Sequence, residues 1–436
     1  MISQIIFIVI VIAAIALFSI NVRKIVRNIN LGLPENRSDQ AGKRLITMLK
    51  VAFGQSKMTK RPVSAIMHLF VYIGFIIINL EVLEIVIDGI FGTHRIFASP
   101  LGSLYNFLIA SFEILALLVI VGVVVFYARR NFLKLKRFTG VEMTKWPKND
   151  ANYILIIETL LMFAFLTMNA ADYKLQQLGA AHYTNGGSFP ISGLLTTLLP
   201  SSETSLIAIE RGFWWFHIVG IFAFLNYLPY SKHFHILMAF PNTYYSKLSP
   251  KGEFSNMPSV TNEVKAMLDP TFTPAPVAEG GKFGAKDVKD LSWKSLMDAY
   301  TCTECGRCTS VCPANITGKL LSPRKIMMDT RDRLTEVGNN IDKHGNDYED
   351  EKSLLDTYIT REEIWACTTC NACTEACPVN IDPLGIIVEL RRFIVMEESK
   401  ASASLNNMFG NMENNGAPWK YSPADRFNWA DKKGDS

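Results

Sequence analysis

The sequence predicts an all-α protein in two parts, a five-helix transmembrane bundle followed by a smaller helical domain outside the membrane. Of the 436 residues, 49% are hydrophobic, and most of this excess lies within residues 1–240. All 8 cysteines lie in the second half, in two short runs joined by a segment with helical periodicity. These two halves therefore face different solvents.

Five apolar runs approach the length of about 20 residues that a membrane-spanning helix needs. They cover residues 5–20, 63–80, 104–126, 153–171 and 212–230, and an extension of the second run to residue 87 stays open. Buried helices of a large soluble core are the alternative, which the number and length of the runs disfavour. The runs predict a membrane domain over residues 1–240.

The charges between the runs predict the orientation of the bundle. No Lys or Arg precedes the first run, whereas Arg23 and Lys24 follow it, which is the reverse of a cleaved signal peptide. Residues 23–61 hold ten Lys or Arg, and residues 129–148 hold seven. Because positively charged loops stay inside, we expect a multi-pass protein of the bacterial cytoplasmic (inner) membrane with a periplasmic N-terminus and a cytoplasmic C-terminal half. The basic residues flank apolar runs and form no single face, so no nucleic-acid partner is expected.

Two cysteine runs, residues 302–313 and 367–378, each read C-x2-C-x2-C-x3-C-P. This spacing predicts two [4Fe-4S] clusters. Three cysteines of a run surround one cluster, and the fourth ligates the other cluster when the two runs face each other. Pro313 and Pro378 keep the chain from folding back over the clusters. The predicted metal ligands are Cys302, Cys305, Cys308 and Cys377 in one set, and Cys367, Cys370, Cys373 and Cys312 in the other.

Zinc and disulfide bonds are the alternative uses of these cysteines. Zinc sites usually take two cysteine pairs or mixed Cys/His sets, and an eight-cysteine double run that ends in proline is not typical of them. Disulfides need an oxidising compartment, which conflicts with a cytoplasmic location.

The segments around the cysteine runs predict an α-helical ferredoxin domain over residues 290–398. Ser322 followed by Pro323 is a capped helix start, and Pro383 opens a segment that is apolar at helical spacing. Residues 241–289 are rich in Pro, Gly, Ser and Lys and predict a linker. Residues 399–436 are polar but carry more aromatic residues than disordered tails usually do, which predicts a partner-binding tail. These aromatic residues are Phe409, Trp419, Tyr421, Phe427 and Trp429.

Three histidines are candidate haem ligands. His68 and His217 lie about five residues inside the second and fifth spans, where a histidine is costly and indicates function. His235 follows His217 by 18 residues. On one continuous helix this is about five turns, so both rings would face one way about 27 Å apart. We expect His68, His217 and His235 to bind b haem, with His68 and His235 as the first-choice pair because both lie toward the cytoplasmic side. Pro229 could kink the helix between them, and polar contacts between helices are the alternative role.

The other polar residues of the membrane half are less specific. Glu113 and Glu158 lie inside the third and fourth spans, where each could relay protons, touch a quinone or pair with a polar neighbour. The remaining histidines are expected at the surface. They are His94, His182, His233 and His344.

Several motifs resemble known families. In the membrane half, His68 together with RGFWWFH, LPYSKHFH and AFPN resembles the cytochrome b subunit of heterodisulfide reductase and the gamma subunit of respiratory nitrate reductase. In the C-terminal half, DLSWKSLMDAYTCTECGRCTSVCPA, TGKLLSPRK and WACTTCNACTEACPV resemble the double-cluster domain of heterodisulfide reductase and of the anchor subunit of anaerobic glycerol-3-phosphate dehydrogenase.

The resemblance implies a membrane-bound electron carrier between the quinone pool, menaquinone or ubiquinone, and a soluble partner. Many such proteins continue into a cysteine-rich CCG domain. This chain has no further cysteines, so we expect that domain in a separate cytoplasmic subunit. The nitrate reductase gamma subunit has two histidines in its second helix. This chain has Ile78 ten residues after His68, so the number of b haems, one or two, remains open.

The sequence therefore predicts the electron-transfer subunit of a quinone-linked oxidoreductase complex. It would relay electrons through b haem and two [4Fe-4S] clusters, with the redox chemistry carried by the cofactors and not by catalytic side chains. A membrane-anchored ferredoxin without haem or quinone site is the first alternative. A non-redox structural subunit is the second, and two complete cysteine runs argue against it.

Overall fold

The computed structural model confirms the predicted fold class. The chain is 70% helical, its described residues form no β-strand, and five helices are candidate membrane spans. The structure describes residues 1–250, 252–273 and 282–431. Residue 251 and residues 274–281 of the predicted linker, and residues 432–436 of the predicted tail, lie outside the described residues.

The N-terminal half holds all five candidate spans. Its helices are α1 (Ile2–Ile29), α2 (Ala41–Met48), α3 (Pro62–Phe91), α4 (Ala98–Leu101), α5 (Ser103–Asn131), α6 (Lys145–Leu178), α7 (Ser192–Leu195), α8 (Glu203–Tyr227) and α9 (His235–Tyr244). The spans are α1, α3, α5, α6 and α8, of which the last extends by one turn to Tyr230. Each span contains one of the predicted apolar runs.

The spans pack closely where small residues face a neighbour. Helix α3 packs along α5, α6 packs along α8, and α1 contacts both α3 and α8. A Cβ at Gly74 would lie 2.5 Å from the side chain of Val119, and one at Gly122 would lie 3.0 Å from the backbone oxygen of Met67. Glycine at such positions lets two membrane helices approach each other at backbone distance.

The expectation of one continuous helix carrying His217 and His235 is wrong. Helix α8 ends at Tyr227, two short 3-10 turns follow, and His235 begins a new helix. Pro229 lies in the first turn, where it cannot donate a backbone hydrogen bond. Ser231 caps the second turn by accepting from the backbone amide two residues on, at 3.0 Å. The chain therefore changes direction before it reaches His235.

The C-terminal region is a second helical unit with its own core. Its helices are α10 (Pro258–Leu268), α11 (Trp293–Thr301), α12 (Arg307–Ser310), α13 (Pro313–Ile316), α14 (Pro323–His344), α15 (Arg361–Trp365), α16 (Ala372–Ala376), α17 (Pro383–Arg392), α18 (Ala403–Asn415) and α19 (Asn428–Asp431). The helix starts predicted at Pro323 and Pro383 are confirmed. Helices α11 and α17 pack against α14 around buried Leu296, Ile326 and Ile387.

The C-terminal region sits on one end of the bundle, which we call the cysteine end. At the end of α1, Asn28 donates to the hydroxyl of Tyr300 at 2.9 Å. The guanidinium of Arg324 is 1% exposed and pairs with Glu142, from the loop between α5 and α6, at 2.6 Å. The two loops with most of the basic residues therefore both lie at this end. The opposite end of the bundle is called the far end below.

Candidate cofactor sites

The two cysteine runs fold alike. In each run the third and fifth residues adopt left-handed backbone angles, with φ of 54° at Glu304, 69° at Gly306, 55° at Thr369 and 58° at Asn371. This conformation is unfavourable for most residues, above all for a β-branched threonine, and is held only where the surroundings enforce it. A Cβ at Gly306 would lie 2.7 Å from the Arg324 guanidinium and 3.0 Å from the backbone oxygen of Arg137, so glycine suits this crowded left-handed position.

The tight loops direct backbone amides at sulfur atoms. The amide of Thr369 lies 3.4 Å from the Sγ of Cys367, and the amide of Ile381 lies 3.3 Å from the Sγ of Cys377. Turned backbone amides of this kind favour negative charge and recur at iron–sulfur sites. Burial raises the pKa of the Cys302 and Cys377 thiols to about 12. Such thiols stay protonated when free, whereas a coordinating metal deprotonates them outright.

One set of four cysteines lines a small cavity between the two runs. Cys312 from the first run faces Cys367, Cys370 and Cys373 from the second across this cavity. The remaining wall is largely apolar and includes Leu384. Four thiols around an enclosed apolar space are the donor set that a [4Fe-4S] cluster requires.

The other four cysteines form the complementary group. Cys308 interacts electrostatically with Cys302, Cys305 and Cys377, and least strongly with Cys373. Helix α12 packs on α16, which brings the two runs face to face. Within the described ranges, no three His, Cys, Asp or Glu side chains converge on a single-ion position. The interlocked assignment of the eight cysteines as cluster ligands stays a prediction.

His68 and His235 lie side by side at the cysteine end. Their ring centroids are 6.4 Å apart. Two imidazoles on opposite sides of one metal, with metal–nitrogen bonds of about 2 Å, have centroids roughly 6 Å apart. The Nδ1 of His68 lies 3.1 Å from the Gln55 side-chain oxygen, and that of His235 lies 3.0 Å from the Lys232 carbonyl oxygen. Both rings use Nδ1 in these contacts, so among the described residues Nε2 is left available for a metal, as in metal-binding histidines.

Two orphaned hydroxyl groups flank His68. Ser64 and Tyr72 lie four residues before and after it on α3, so all three share one helix face. The Ser64 and Tyr72 hydroxyls are buried and have no hydrogen-bond partner among the described residues. Because buried polar groups are nearly always paired, these orphans indicate that a further group belongs beside His68. The histidine pair and its surroundings thus fit a b haem, which remains a prediction.

His233 lies beside this pair, with its ring centroid 5.5 Å from that of His235, whereas His217 lies apart from it. His217 is 1% exposed, and its Nδ1 lies 2.9 Å from the backbone oxygen of Leu161. Its only ring contact within the described residues is with Phe165. The expectation that His233 lies at the surface is wrong, because its side chain is 12% exposed and its Nε2 lies 3.5 Å from the carboxylate of Glu158. Burial lowers the pKa of His233 to about 3, so the ring is neutral.

At the far end, a second histidine that was expected at the surface is largely buried. His182 is exposed, but the His94 side chain is only 8% exposed and its Nε2 lies 3.3 Å from the Asp172 carboxylate. Glu113 is fully buried and accepts hydrogen bonds from the amides of Ile191 and Ser192 at 2.9 and 3.1 Å, where the chain enters α7. Glu113 therefore has a structural role, as the hydrogen-bond acceptor for this turn.

Sequence reasoning missed the residues that join the histidines to the cysteines. Lys232, whose carbonyl oxygen lies at His235, pairs through its Nζ with Glu304, between Cys302 and Cys305. Burial alone would raise the pKa of Glu304, but Lys232 and Arg331 lower it more strongly, so the carboxyl is ionised. The sequence offered one signal for this connection, because Lys232 lies three residues before the predicted haem ligand His235.

Comparison with known proteins gives the same classification of the C-terminal region. Residues 301–381 match the 4Fe-4S dicluster domain. The chain is 29% identical to the probable iron-sulfur-binding oxidoreductase FadF of Bacillus subtilis, over 100% of this chain and 61% of that protein. It is 26% identical to the EtfAB:quinone oxidoreductase of Syntrophomonas wolfei, over 92% of this chain and 55% of that protein.

Shorter similarities agree with these. The probable membrane-anchored ferredoxin of Chromohalobacter salexigens is 31% identical over 34% of this chain and 24% of its own length. No solved structure matches the chain. The chain spans about 61% and 55% of the two long relatives. Together with the five spans, these similarities support a membrane-associated iron–sulfur protein of electron transfer, related to iron–sulfur oxidoreductases and heterodisulfide reductase-like subunits.

Proposed function

We propose that this chain is the membrane subunit that relays electrons between the quinone pool and a cytoplasmic CCG-type partner. His68 and His235 would hold a b haem, and the two cysteine sets would each hold a [4Fe-4S] cluster. When bound, these groups supply one-electron redox chemistry that no side chain offers. The observation that carries the proposal is the short connection between the His68–His235 pair and the Cys302 set.

The histidine pair adjoins the Cys302 set through two short connections. Gln55 contacts His68, and two residues on, the Nζ of Lys57 donates to the carbonyl oxygen of Cys377 at 3.2 Å. The second connection is the Lys232–Glu304 ion pair. Hydrogen bonds on one side and an ion pair on the other thus hold the two imidazoles at a fixed distance from the first cysteine set.

The Cys367 set includes the one exposed cysteine among the eight. Cys370 is exposed, whereas Cys302 and Cys377 are each 8% exposed. A soluble partner would therefore meet the Cys367 set first. The Syntrophomonas relative carries a quinone link in its name, which supports the membrane pool as the other end of the relay. His217, which has no histidine partner in the described structure, would hold no second haem.

The proposal also gives the orientation of the chain in the membrane and divides the chain into four segments. Both basic loops lie at the cysteine end, which supports a cytoplasmic location for that end and a periplasmic N-terminus. The proposed segments are residues 1–240 in the membrane, 241–289 as linker, 290–398 as cluster domain and 399–436 as partner-binding tail. The tail aromatics support this last role, because Trp419 and Trp429 are 58% and 70% exposed.

The interlocked cysteine sets predict a crossed effect of mutation. Cys312→Ser should damage the cluster of Cys367, Cys370 and Cys373 and leave the Cys302 cluster intact, because Cys312 faces the second run across the cavity. EPR of the reduced protein measures each cluster. Cys308→Ser is the matched control and should show the opposite pattern. Loss confined to the Cys302 cluster in Cys312→Ser would contradict the pairing.

The haem assignment predicts that His68→Ala and His235→Ala each abolish the b-type α band. His217→Ala should keep it, because His217 has no second histidine beside it. The readout is the reduced-minus-oxidised spectrum of purified protein, together with reduction of the clusters by added quinol, which should also stop in the first two variants. Full haem content in His68→Ala, or no haem in the unmodified protein, would leave the anchored-ferredoxin alternative.

The orientation predicts the activity of fused reporters. A reporter that works only in the periplasm should be active after Thr184, at the far end, and silent after Ser249, at the cysteine end, because the basic loops hold the cysteine end inside. The reverse pattern would overturn the orientation.

The tail predicts loss of a partner without loss of clusters. Deletion of residues 409–436 should leave both EPR signals, because the cluster ligands all precede it, and should abolish co-purification of the CCG-type subunit. Trp419→Ala with Trp429→Ala should weaken co-purification through the loss of two exposed aromatics. Undiminished co-purification of the partner with the shortened chain would exclude the tail as its anchor.

A further inference from the structure

The far end of the bundle contains a cavity whose lining includes none of the proposed haem or cluster ligands. It has a volume of about 300 Å³ and opens between α1, α3, α6 and α8. Glu81 on its wall follows His68 by 13 positions on α3, which places the two about 20 Å apart along the helix axis. The cavity therefore lies within the membrane half and far from every proposed metal ligand.

One wall of the cavity is aromatic. The rings of Phe7, Trp214 and Trp215 pack against one another, with centroids 5.3 Å apart for Phe7 and Trp214 and 5.2 Å apart for the two tryptophans. Gly89 allows this arrangement, because a Cβ there would lie 2.5 Å from the Phe7 ring. An aromatic wall of this size favours a flat, apolar ring system as the ligand.

The facing wall is a fixed polar network around Arg95. The guanidinium is 7% exposed and is held by the Asp172 carboxylate at 2.6 Å, by the Tyr105 hydroxyl at 3.0 Å and by the Asn169 side-chain oxygen at 3.0 Å. Its neighbour Asp172 also contacts His94. These bonds join α5, α6 and the loop before α4, so the network is held in place before any ligand arrives.

Glu81 is the unsatisfied member of this network. It is 3% exposed, its Oε1 lies 3.7 Å from the Arg95 guanidinium, and its Oε2 has no hydrogen-bond partner among the described residues. Glu81 also lines the cavity. A carboxylate oxygen buried at such a place requires a donor. An ionised carboxylate only accepts, whereas a protonated one can also donate, so Oε2 can serve a hydroxyl group in one state and a carbonyl in the other.

We propose that this cavity binds the head group of a membrane quinone, with the ring against Phe7 and the tryptophans and one ring oxygen hydrogen-bonded to Glu81 Oε2. The inference rests on the proposed function, which requires a quinone site but leaves its position open. A quinone combines a flat apolar ring with oxygen atoms that exchange between carbonyl and hydroxyl, and both walls match these features. The rival position is Glu158 with His233, near the histidine pair.

The test is binding of a heptyl-hydroxyquinoline N-oxide, a quinol analogue, to the full chain in lipid nanodiscs. Tryptophan fluorescence should be quenched saturably, and Trp215→Phe should reduce the amplitude of quenching. Glu81→Leu should weaken binding roughly tenfold or more, because a hydrogen bond to a charged group is lost. Glu81→Gln keeps the shape and should have a smaller effect. Glu158→Leu is the matched control and should bind like the unmodified chain.

Cluster and haem spectra show whether each variant is folded. If Glu81→Leu is not folded, Glu81→Gln takes its place in the binding test. Unchanged affinity in both Glu81 variants, with quinol still reducing the clusters, would overturn this site and leave the proposed function standing. Weakened binding in Glu158→Leu alone would move the site to the cysteine end. Failure of quinol to reduce the clusters of the unmodified chain would instead refute the proposed function itself.

Discussion

The buried ion pair between Lys232 and Glu304 holds the proposed cofactor sites in a fixed relation. Lys232 belongs to the turn after the fifth span, and its carbonyl oxygen orients His235. Glu304 belongs to the left-handed turn between Cys302 and Cys305. A buried pair of this kind is costly to break, because loss of one partner leaves an uncompensated charge at a cost of about 3–5 kcal/mol. The membrane half and the cysteine domain are therefore joined directly beside the proposed ligands.

The sequence was informative wherever the controlling interaction is local. The five spans follow from runs of apolar residues, because lipid acts on each helix separately. The turns within each cysteine run are also local, because each run carries its first three cysteines on one short loop. Capping at Ser322 and Pro323 is equally local, and all these features recur in the structure at the expected residues.

Features that depend on distant segments could not be read in this way. His94 was expected at the surface, but the fourth span places Asp172 beside it and its side chain is largely buried. His233 is buried because the chain turns back after Pro229 and meets Glu158, some 75 residues earlier in the sequence. Periodicity describes one helix at a time, so it assigned His217 and His235 to one face of a helix that the structure interrupts. Glu81 carried a readable signal, because a carboxylate within a span is costly.

Helix α3 connects the two ends of the molecule, because it carries His68 at one end and Glu81 at the other. These residues are about 20 Å apart along the axis, within a hydrocarbon core of about 30 Å. If quinone exchanges protons at Glu81 while electrons leave at His68, each electron crosses much of the bilayer without its proton. Moving one charge across the whole membrane involves about 2.3 kcal/mol per 100 mV, so this passage involves roughly 1.5 kcal/mol per 100 mV. With the far end outside, electron flow toward the cysteines would build the membrane potential, and flow toward the quinone would consume it.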